Sequence, residues 1–252
     1  MALIEFEHVS KTFVRTGGAR LLRAYVADHL RHRKPVPFYA LSDVSFSLER
    51  GQSLAVIGRN GAGKSTLLSL VANLCRPTAG SVTVRGRVAA LLELGSGFHP
   101  DLTGAENVRL NASFLGLSRS ATEKAYASIV EFSELGQFMS DPLRTWSNGM
   151  IMRLAFSVAI HVDPDIFMID EVLTVGDQRF QAKCLDRILR FSKEGKTLLF
   201  VSHVPELVRR LCDKAIWLDG GRLVMSGSPD TVLAAYAAGA ISEPGEPPPR
   251  TP

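Results

Sequence analysis

Short apolar runs recur along the chain and predict the strands of an α/β protein. Four consecutive apolar residues occupy positions 54–57, 166–169 and 198–201. Runs of this length are typical of parallel strands that are buried on both faces. Apolar and polar residues alternate at positions 4–9 and 44–48, which predicts two half-buried strands, the first of them at a sheet edge.

Helical periodicity is strongest in the middle of the chain. It runs from about Thr103 to Phe138 and interrupts the alternation of strands and helices, which predicts an inserted helical subdomain over about 103–160. A turn at 145–150 predicts that a further helix opens at Ile151. The remaining predicted elements are strands at 82–84, 88–92, 215–219 and 222–225, the last two forming a hairpin, and a short helix near 229–238.

Residues 12–38 form a basic insertion between the first two predicted strands. Leu21, Leu22, Tyr25, Val26 and Leu30 recur at helical spacing among arginines, which predicts an amphipathic helix that ends before Pro35 and Pro37. Two alternatives remain open for this helix. It either packs on its own domain or lies at a membrane surface or on a membrane partner.

A glycine-rich segment after the run at 54–57 carries the strongest chemical signal. Gly58-Arg59-Asn60-Gly61-Ala62-Gly63-Lys64-Ser65-Thr66 fits the pattern G-x-x-x-x-G-K-[ST]. Its glycines let backbone N–H groups approach an anion, and the helix predicted to begin near Lys64 points its positive dipole end at the same place. Lys64 is the predicted contact of the β- and γ-phosphates, and the Ser65 hydroxyl is a predicted Mg²⁺ ligand. The flanking strand and helix favour nucleotide binding over a plain glycine-rich turn.

Acids and a histidine follow two other buried runs. Asp170 and Glu171 follow residues 166–169, and His203 follows residues 198–201 after one serine. Ligands of open α/β sheets bind at the carboxyl ends of the strands. Asp170 is therefore predicted to hold Mg²⁺ through water, Glu171 to polarise the attacking water, and His203 to contact the γ-phosphate. Each signal is weak alone, and as an ordered set they predict ATP hydrolysis.

Composition narrows the class of protein. The chain has 252 residues and a net charge of +4, with 46% hydrophobic residues, which is globular. It has no apolar run of about 18 residues and no basic signal sequence at its start, so no membrane span or secretion signal is expected. Cys75, Cys184 and Cys212 are far apart, which indicates reduced thiols in a cytosolic protein, and the histidines show no metal-ligand spacing with them.

With these motifs the chain resembles the ATP-binding cassette (ABC) ATPases over about residues 3–238. Residues 58–66 match the family's Walker A motif, 166–170 its Walker B motif, Glu171 its catalytic glutamate and His203 its switch histidine. Tyr39 matches the aromatic residue that stacks on the base. The resemblance implies a P-loop NTPase fold of ABC type, α/β, with a mostly parallel core sheet, an antiparallel β subdomain and an inserted helical subdomain. One nucleotide-binding domain would span 1–240.

The departures from the family pattern point to one branch. Residues 146–150 read Trp-Ser-Asn-Gly-Met where the family has Leu-Ser-Gly-Gly-Gln, and Ser147 and Gly149 are kept. Glu93 stands in place of the family's loop glutamine and could still ligate Mg²⁺ as a carboxylate. Asp177 lies near the acid of the family's D-loop. The residues at these positions are similar to those of the ATPase subunits of bacterial polysaccharide exporters, which export capsule, O-antigen and teichoic acid.

That resemblance implies the partners. Two copies would dimerise head to tail, with each ATP held between the Walker A motif of one copy and Ser147, Asn148 and Gly149 of the other. A separate integral-membrane permease would contact the glycan, and residues 103–138 with the Glu93 loop would relay motion to it. The protein would sit peripherally at the cytoplasmic face of the inner membrane, without a nucleic-acid partner. Residues 241–252 are predicted to be a disordered Pro-rich tail, too short for the extra sugar-binding domain of some O-antigen exporters, so a capsule-type exporter or an O-antigen exporter without that domain fits better.

Other functions remain as alternatives to glycan export. One is the ATPase of another transporter class. Another is a soluble ABC ATPase in DNA repair or translation, which is disfavoured because the chain has no long coiled-coil insertion, zinc motif or second cassette. A regulatory or scaffold module is the third, and the intact Lys64, Asp170, Glu171 and His203 argue against it.

Overall fold

The computed structural model describes residues 1–14, 37–90, 95, 97–170 and 176–241, without the side chains of 240 and 241. These residues form two sheets, seven α-helices and two short 3₁₀ helices, at Gly136–Phe138 and Leu143–Thr145. The strands are β1 (Ala2–Val14), β2 (Pro37–Glu49), β3 (Ser53–Ile57), β4 (Ala79–Val84), β5 (Val88–Ala90), β6 (Ile166–Asp170), β7 (Thr197–Val201), β8 (Lys214–Asp219) and β9 (Arg222–Gly227). The helices are α1 (Lys64–Val71), α2 (Gly104–Phe114), α3 (Arg119–Ser133), α4 (Asn148–Ala159), α5 (Gln178–Lys193), α6 (Pro205–Leu211) and α7 (Pro229–Ile241). Within the described ranges, no helix combines the length and the apolar composition that crossing a bilayer requires.

The larger sheet forms the centre of the fold and has the strand order β5-β6-β7-β3-β8-β9. All neighbouring pairs are parallel except β8 and β9, which form the predicted antiparallel hairpin. Every residue of β3 and β7 is buried, which confirms the prediction from their apolar runs. Alternate residues of β3 enter different cores, with Ala55 and Ile57 on one face and Leu54 and Val56 on the other, so helices cover both faces of the sheet.

The smaller sheet is antiparallel and has the order β2-β1-β4. The prediction that residues 4–9 form an edge strand is wrong, because β1 pairs with β2 on one side and with β4 on the other. Its polar residues are satisfied on the open face instead, where Glu5 pairs with Arg85 and Glu7 accepts a hydrogen bond from Ser81. Alternation reports how many faces of a strand are buried and carries no information about how many of its edges are paired.

The ends of the predicted basic insertion at 12–38 belong to strands. β1 continues to Val14 and β2 begins at Pro37, and Thr12, Phe13 and Val14 face Tyr39, Phe38 and Pro37 across the ladder. Proline is tolerated here because it opens a strand at the edge of the sheet. The amphipathic helix predicted around Leu21–Leu30 lies outside the described residues, as does the predicted tail from 242 onwards.

Helices α2, α3 and α4 pack around a core of their own, which includes Val108, Ile129 and Leu154. α2 opens with a capping box in which Thr103 and Glu106 exchange side-chain and backbone hydrogen bonds. α4 begins at Asn148, three residues before the predicted Ile151. The Ser147 hydroxyl caps the helix by accepting a hydrogen bond from the Met150 N–H at 3.2 Å. Because of this cap, residues 148–150, which were predicted to belong to a turn before the helix, form the first turn of the helix.

Candidate active site

The glycine-rich loop between β3 and α1 is pressed between two other strands. A Cβ on Gly58 would lie 2.2 Å from the Leu218 carbonyl oxygen in β8, and one on Gly63 would lie 2.4 Å from the Ala40 carbonyl oxygen in β2. Gly63 also has a φ of 103°, in the left-handed region that favours glycine. The surrounding strands therefore hold the loop backbone in one path and require glycine at both positions.

The start of α1 faces the space above this loop. The helix begins at Lys64 directly after Gly63 and has no side chain capping its N-terminus. Its first N–H groups have no intrahelical acceptor and carry the positive end of the helix dipole, which is the arrangement that binds phosphates. The Lys64 ammonium lies over the loop and donates to the Gly58 and Arg59 carbonyl oxygens at 2.7 and 3.1 Å. These contacts hold a positive charge at the mouth of the loop.

A cleft of about 410 Å³ brings most of the predicted phosphate-binding residues together with Asp170. It is lined by Phe38, Ala40, Asn60, Gly61, Gly63, Lys64, Ser65, Thr66 and Asp170. Ser65 and Asp170 thus line the same cleft as the lysine, and a hydroxyl and a carboxylate supply the kinds of oxygen ligand that suit Mg²⁺. Among the described residues, no cluster of three or more His, Cys, Asp or Glu could hold a metal ion. From the described part of the chain, a cation here would draw on oxygens of Ser65 and Asp170, with phosphate and water completing its shell.

The register of the core sheet explains why Asp170 reaches the loop. Asp170 pairs with Val201 of β7, and Val201 pairs with Val56 of β3. Parallel strands in register end at the same edge, so Asp170 and the loop after β3 meet at the carboxyl edge of the sheet. His203 follows β7 at this edge and is exposed, although it is not part of the cleft lining.

The aromatic residue in the cleft is Phe38. Tyr39, which the family resemblance selects for stacking on the base, is 57% exposed and absent from the lining. Successive strand residues face opposite sides, so Phe38 and Ala40 share the face towards the loop. The family resemblance points to Tyr39 and not to Phe38, because the sequence does not show which face of β2 turns towards the loop.

Ser147, Asn148 and Gly149 lie apart from the cleft, at the start of α4 in the helical subdomain. All three are exposed. Trp146, the residue before this segment, is buried and packs tightly against the start of α2, where a Cβ on Gly104 would lie 2.7 Å from its ring. The helix N-terminus at Asn148 therefore points a set of N–H groups at the surface of the molecule. The remaining predicted site residues, Glu93 and Glu171, lie outside the described residues.

Comparison with known proteins agrees with this geometry. The ABC transporter family model matches residues 41–174. The chain is 48% identical over 243 residues to the O-antigen export system ATP-binding protein RfbB of Klebsiella pneumoniae, covering 93% of this chain and 97% of that protein. It is also 39% identical over 234 residues to the teichoic acids export ATP-binding protein TagH of Levilactobacillus brevis, covering 92% of this chain and 64% of that protein.

Solved structures show the same fold at low sequence identity. A dimeric ATP-binding cassette in a post-hydrolysis state bound to ADP and Pi superposes with a TM-score of 0.70 at 22% identity, covering 90% of this chain and 98% of that one. The ATP-binding subunit of an ABC transporter superposes with a TM-score of 0.73 at 24% identity, covering 93% of each chain. By its sequence motifs, its fold and these relatives, the chain belongs to the ABC transporter family as one of its ATPase subunits.

Proposed function

We propose that this ATPase drives the export of a polysaccharide or lipid-linked glycan through a separate integral-membrane permease. The observation that carries the ATPase chemistry is the cleft in which the phosphate loop, Lys64, Ser65 and Asp170 meet. The glycan is inferred from the relatives, because proteins that are 48% and 39% identical over nearly the whole chain are named for O-antigen and teichoic acid export.

Each residue in and beside the cleft has a proposed task. The N–H groups of the loop and the Lys64 ammonium bind the β- and γ-phosphates of ATP, and Phe38 or Tyr39 contacts the base. Ser65 and Asp170 hold Mg²⁺, with Glu93 as a further candidate ligand, and the bound ion neutralises charge on the phosphates. Glu171 takes a proton from the attacking water, and His203 contacts the γ-phosphate.

A second copy of the chain completes the proposed site. Ser147, Asn148 and Gly149 are exposed and do not line the cleft of their own chain. In a head-to-tail pair, the exposed N-terminus of α4 from one copy covers the γ-phosphate that is bound to the loop of the other. ATP then joins the two copies, and its hydrolysis lets them separate.

The permease is proposed to contact the helical subdomain near the end of α2. Phe114 is 69% exposed there, and a Cβ on Gly97 would lie 2.9 Å from its ring. Gly97 comes soon after Glu93 in the sequence, so this surface is close along the chain to the segment proposed to reach the nucleotide. An exposed aromatic residue at such a joint suits a protein partner at the cytoplasmic face of the inner membrane.

Replacing Lys64 tests this function in the purified protein and in cells. Lys64→Ala removes the charge over the phosphate loop and is expected to lower the rate of phosphate release by about 10²–10³-fold. In cells whose own copy is deleted, the variant should leave the glycan off the surface, where wild type restores it. Lys193→Ala, at an exposed lysine at the end of α5, is the matched control and should behave as wild type.

The two readouts separate the two parts of the proposal. Undiminished phosphate release by Lys64→Ala would contradict the role of the lysine in hydrolysis. Loss of phosphate release with a normal amount of surface glycan would leave the ATPase in place and overturn glycan export.

A further inference from the structure

We propose that Glu134 is a positioning residue for ATP hydrolysis, whose carboxylate ties the helix bearing Ser147–Gly149 to the helix that follows Asp177. The inference rests on the proposed function, in which α4 of one copy completes the ATP site of the other. Glu134 would act through the two helices, because it lies outside the cleft lining.

One carboxylate joins two helices. Glu134 follows the last residue of α3, and its Oε2 accepts a hydrogen bond from Arg153 Nη2 of α4 at 2.9 Å. Its Oε1 accepts a hydrogen bond from Lys183 Nζ of α5 at 3.0 Å. The bond from Lys183 is the main reason that the pKa of Glu134 is lowered, with smaller contributions from nearby positive charges. The carboxylate is therefore ionised and shared between two cations at neutral pH.

Arg153 also touches the start of α5 directly. Its guanidinium carbon lies 4.7 Å from the centre of the Phe180 ring, and a Cβ on Gly176 would lie 3.3 Å from its Cγ. The Phe180 N–H in turn donates to Asp177 Oδ1 at 2.8 Å, which caps α5. Arg153, which follows Ser147–Gly149 by one turn of α4, is thus packed against the residues around Asp177.

Lys183 closes the connection from the other side. Its ammonium donates to the Phe132 carbonyl oxygen at 2.9 Å and lies 4.5 Å from the centre of the Phe132 ring. Phe132 packs against Phe156 of α4 and Phe180 of α5. The end of α3 therefore bridges α4 and α5, and a shift of either helix changes the distance between the two cations that Glu134 holds.

The backbone conformation of Glu134 supports a functional role for its side chain. Its φ of 58° and ψ of 28° lie in the left-handed region, at the helix end where glycine is the usual residue. A glutamate is disfavoured in that conformation relative to glycine. The ion pairs themselves are partly exposed, with 38% of the Glu134 side chain accessible, so they contribute little to stability. A disfavoured backbone combined with weak stabilisation fits a residue that fixes geometry.

The relation to the ATP site follows from where the two helices begin. α4 starts at the turn proposed to cover the nucleotide of the partner copy. α5 starts at Gln178, directly after its capping residue Asp177, which lies downstream of Asp170 and Glu171 in the chain. Glu134 therefore links the part of the molecule that holds its own nucleotide to the part that acts on the nucleotide of the partner.

Two variants of Glu134 test this link. Glu134→Gln keeps the shape of the side chain and removes its charge, and Glu134→Gly removes the side chain and relieves the backbone. Both are expected to lower kcat about tenfold and to bring the Hill coefficient for ATP close to 1, a loss typical of broken coupling between sites. ATP binding to the single chain should stay within about twofold of wild type, because the residue does not reach the cleft.

Stability and a neighbouring residue provide the controls. Glu131→Gln, one turn earlier on the exposed side of α3, should retain the kcat and Hill coefficient of wild type. The melting temperature of Glu134→Gly should equal or exceed that of wild type, because glycine suits the left-handed backbone. Loss of kcat together with retained stability supports positioning.

Two results would overturn the inference. One is wild-type kcat and Hill coefficient in both Glu134 variants, and the other is a kcat loss that follows a fall in melting temperature in both. Failure of the proposed function would be seen separately, as absent or non-cooperative ATP hydrolysis by the wild-type protein.

Discussion

At Gly58 and Gly63 the phosphate loop has no space for a side chain, because the carbonyl oxygens of β8 and β2 approach where a Cβ would be. The loop could be predicted from sequence since its glycines, Lys64 and Ser65 are neighbours in the chain. The aromatic residue of the cleft could not, because it depends on which face of β2 turns inwards. A register shift between Lys11 and Thr12 interrupts the pairing of β1 with β2 close to this residue. The alternation of inward and outward side chains therefore cannot be extended from the buried residues of β2 to position 38.

The two neighbouring aromatics of β2 are distinguishable by nucleotide affinity. Phe38 lines the cleft and Tyr39 does not, so Phe38→Ala should weaken ATP binding by about tenfold, the value of one lost stacking contact. Tyr39→Ala is the matched control and should change the Kd by less than about threefold. Calorimetric titration with ATP measures both. A larger loss in Tyr39→Ala than in Phe38→Ala would return the base contact to Tyr39, as the family resemblance has it.

At the scale of the elements, one carboxylate binds the segment where the chain passes from β4 of the small sheet to β5 of the core sheet. Asp165, just before β6, accepts a hydrogen bond from the Arg87 N–H at 2.9 Å and another from Arg50 at 3.2 Å. A Cβ on Gly86 would lie 2.7 Å from the Asp165 Cβ, so the turn between β4 and β5 is closed against this residue. The strands themselves were predictable from their apolar runs. Their pairing was not, because the contacts that place β4 and β5 in different sheets join residues far apart in sequence.

Asp165→Asn should change the pH dependence of stability. The Arg87 N–H, followed by Arg50, holds the pKa of Asp165 below its ordinary value. A lowered carboxylate pKa stabilises the fold above the unfolded value of about 4, and this contribution is lost as the pH falls through the folded pKa. The variant is therefore expected to lose about 1 kcal/mol of unfolding free energy at pH 7.

Denaturant unfolding at pH 7 and at low pH checks this expectation. The difference between wild type and Asp165→Asn should shrink as the pH falls below about 4. Asp141→Asn, at an exposed aspartate outside this joint, should show no such change. A difference for Asp165→Asn that stays constant with pH would contradict the ionic contribution.

At the scale of the whole molecule, the cleft beside Lys64 and the segment Ser147–Gly149 lie in different parts of the fold. The cleft sits at the carboxyl edge of the core sheet, whereas Ser147–Gly149 open α4 in the helical subdomain and are exposed. Sequence motifs identified both parts because each is a short local pattern. Their separation in one chain became visible only in three dimensions, and it supports the proposal, first implied by the family resemblance, that two copies form each ATP site.

The dependence of ATP hydrolysis on protein concentration tests this account most directly. If each site needs two chains, the rate per chain should rise in proportion to concentration when the protein is dilute and then level off as pairs form. Lys64→Ala should show no such rise, because it loses the charge at its own phosphate loop. A rate per chain that stays constant across dilution, with a protein that light scattering shows to be monomeric during turnover, would contradict the shared site.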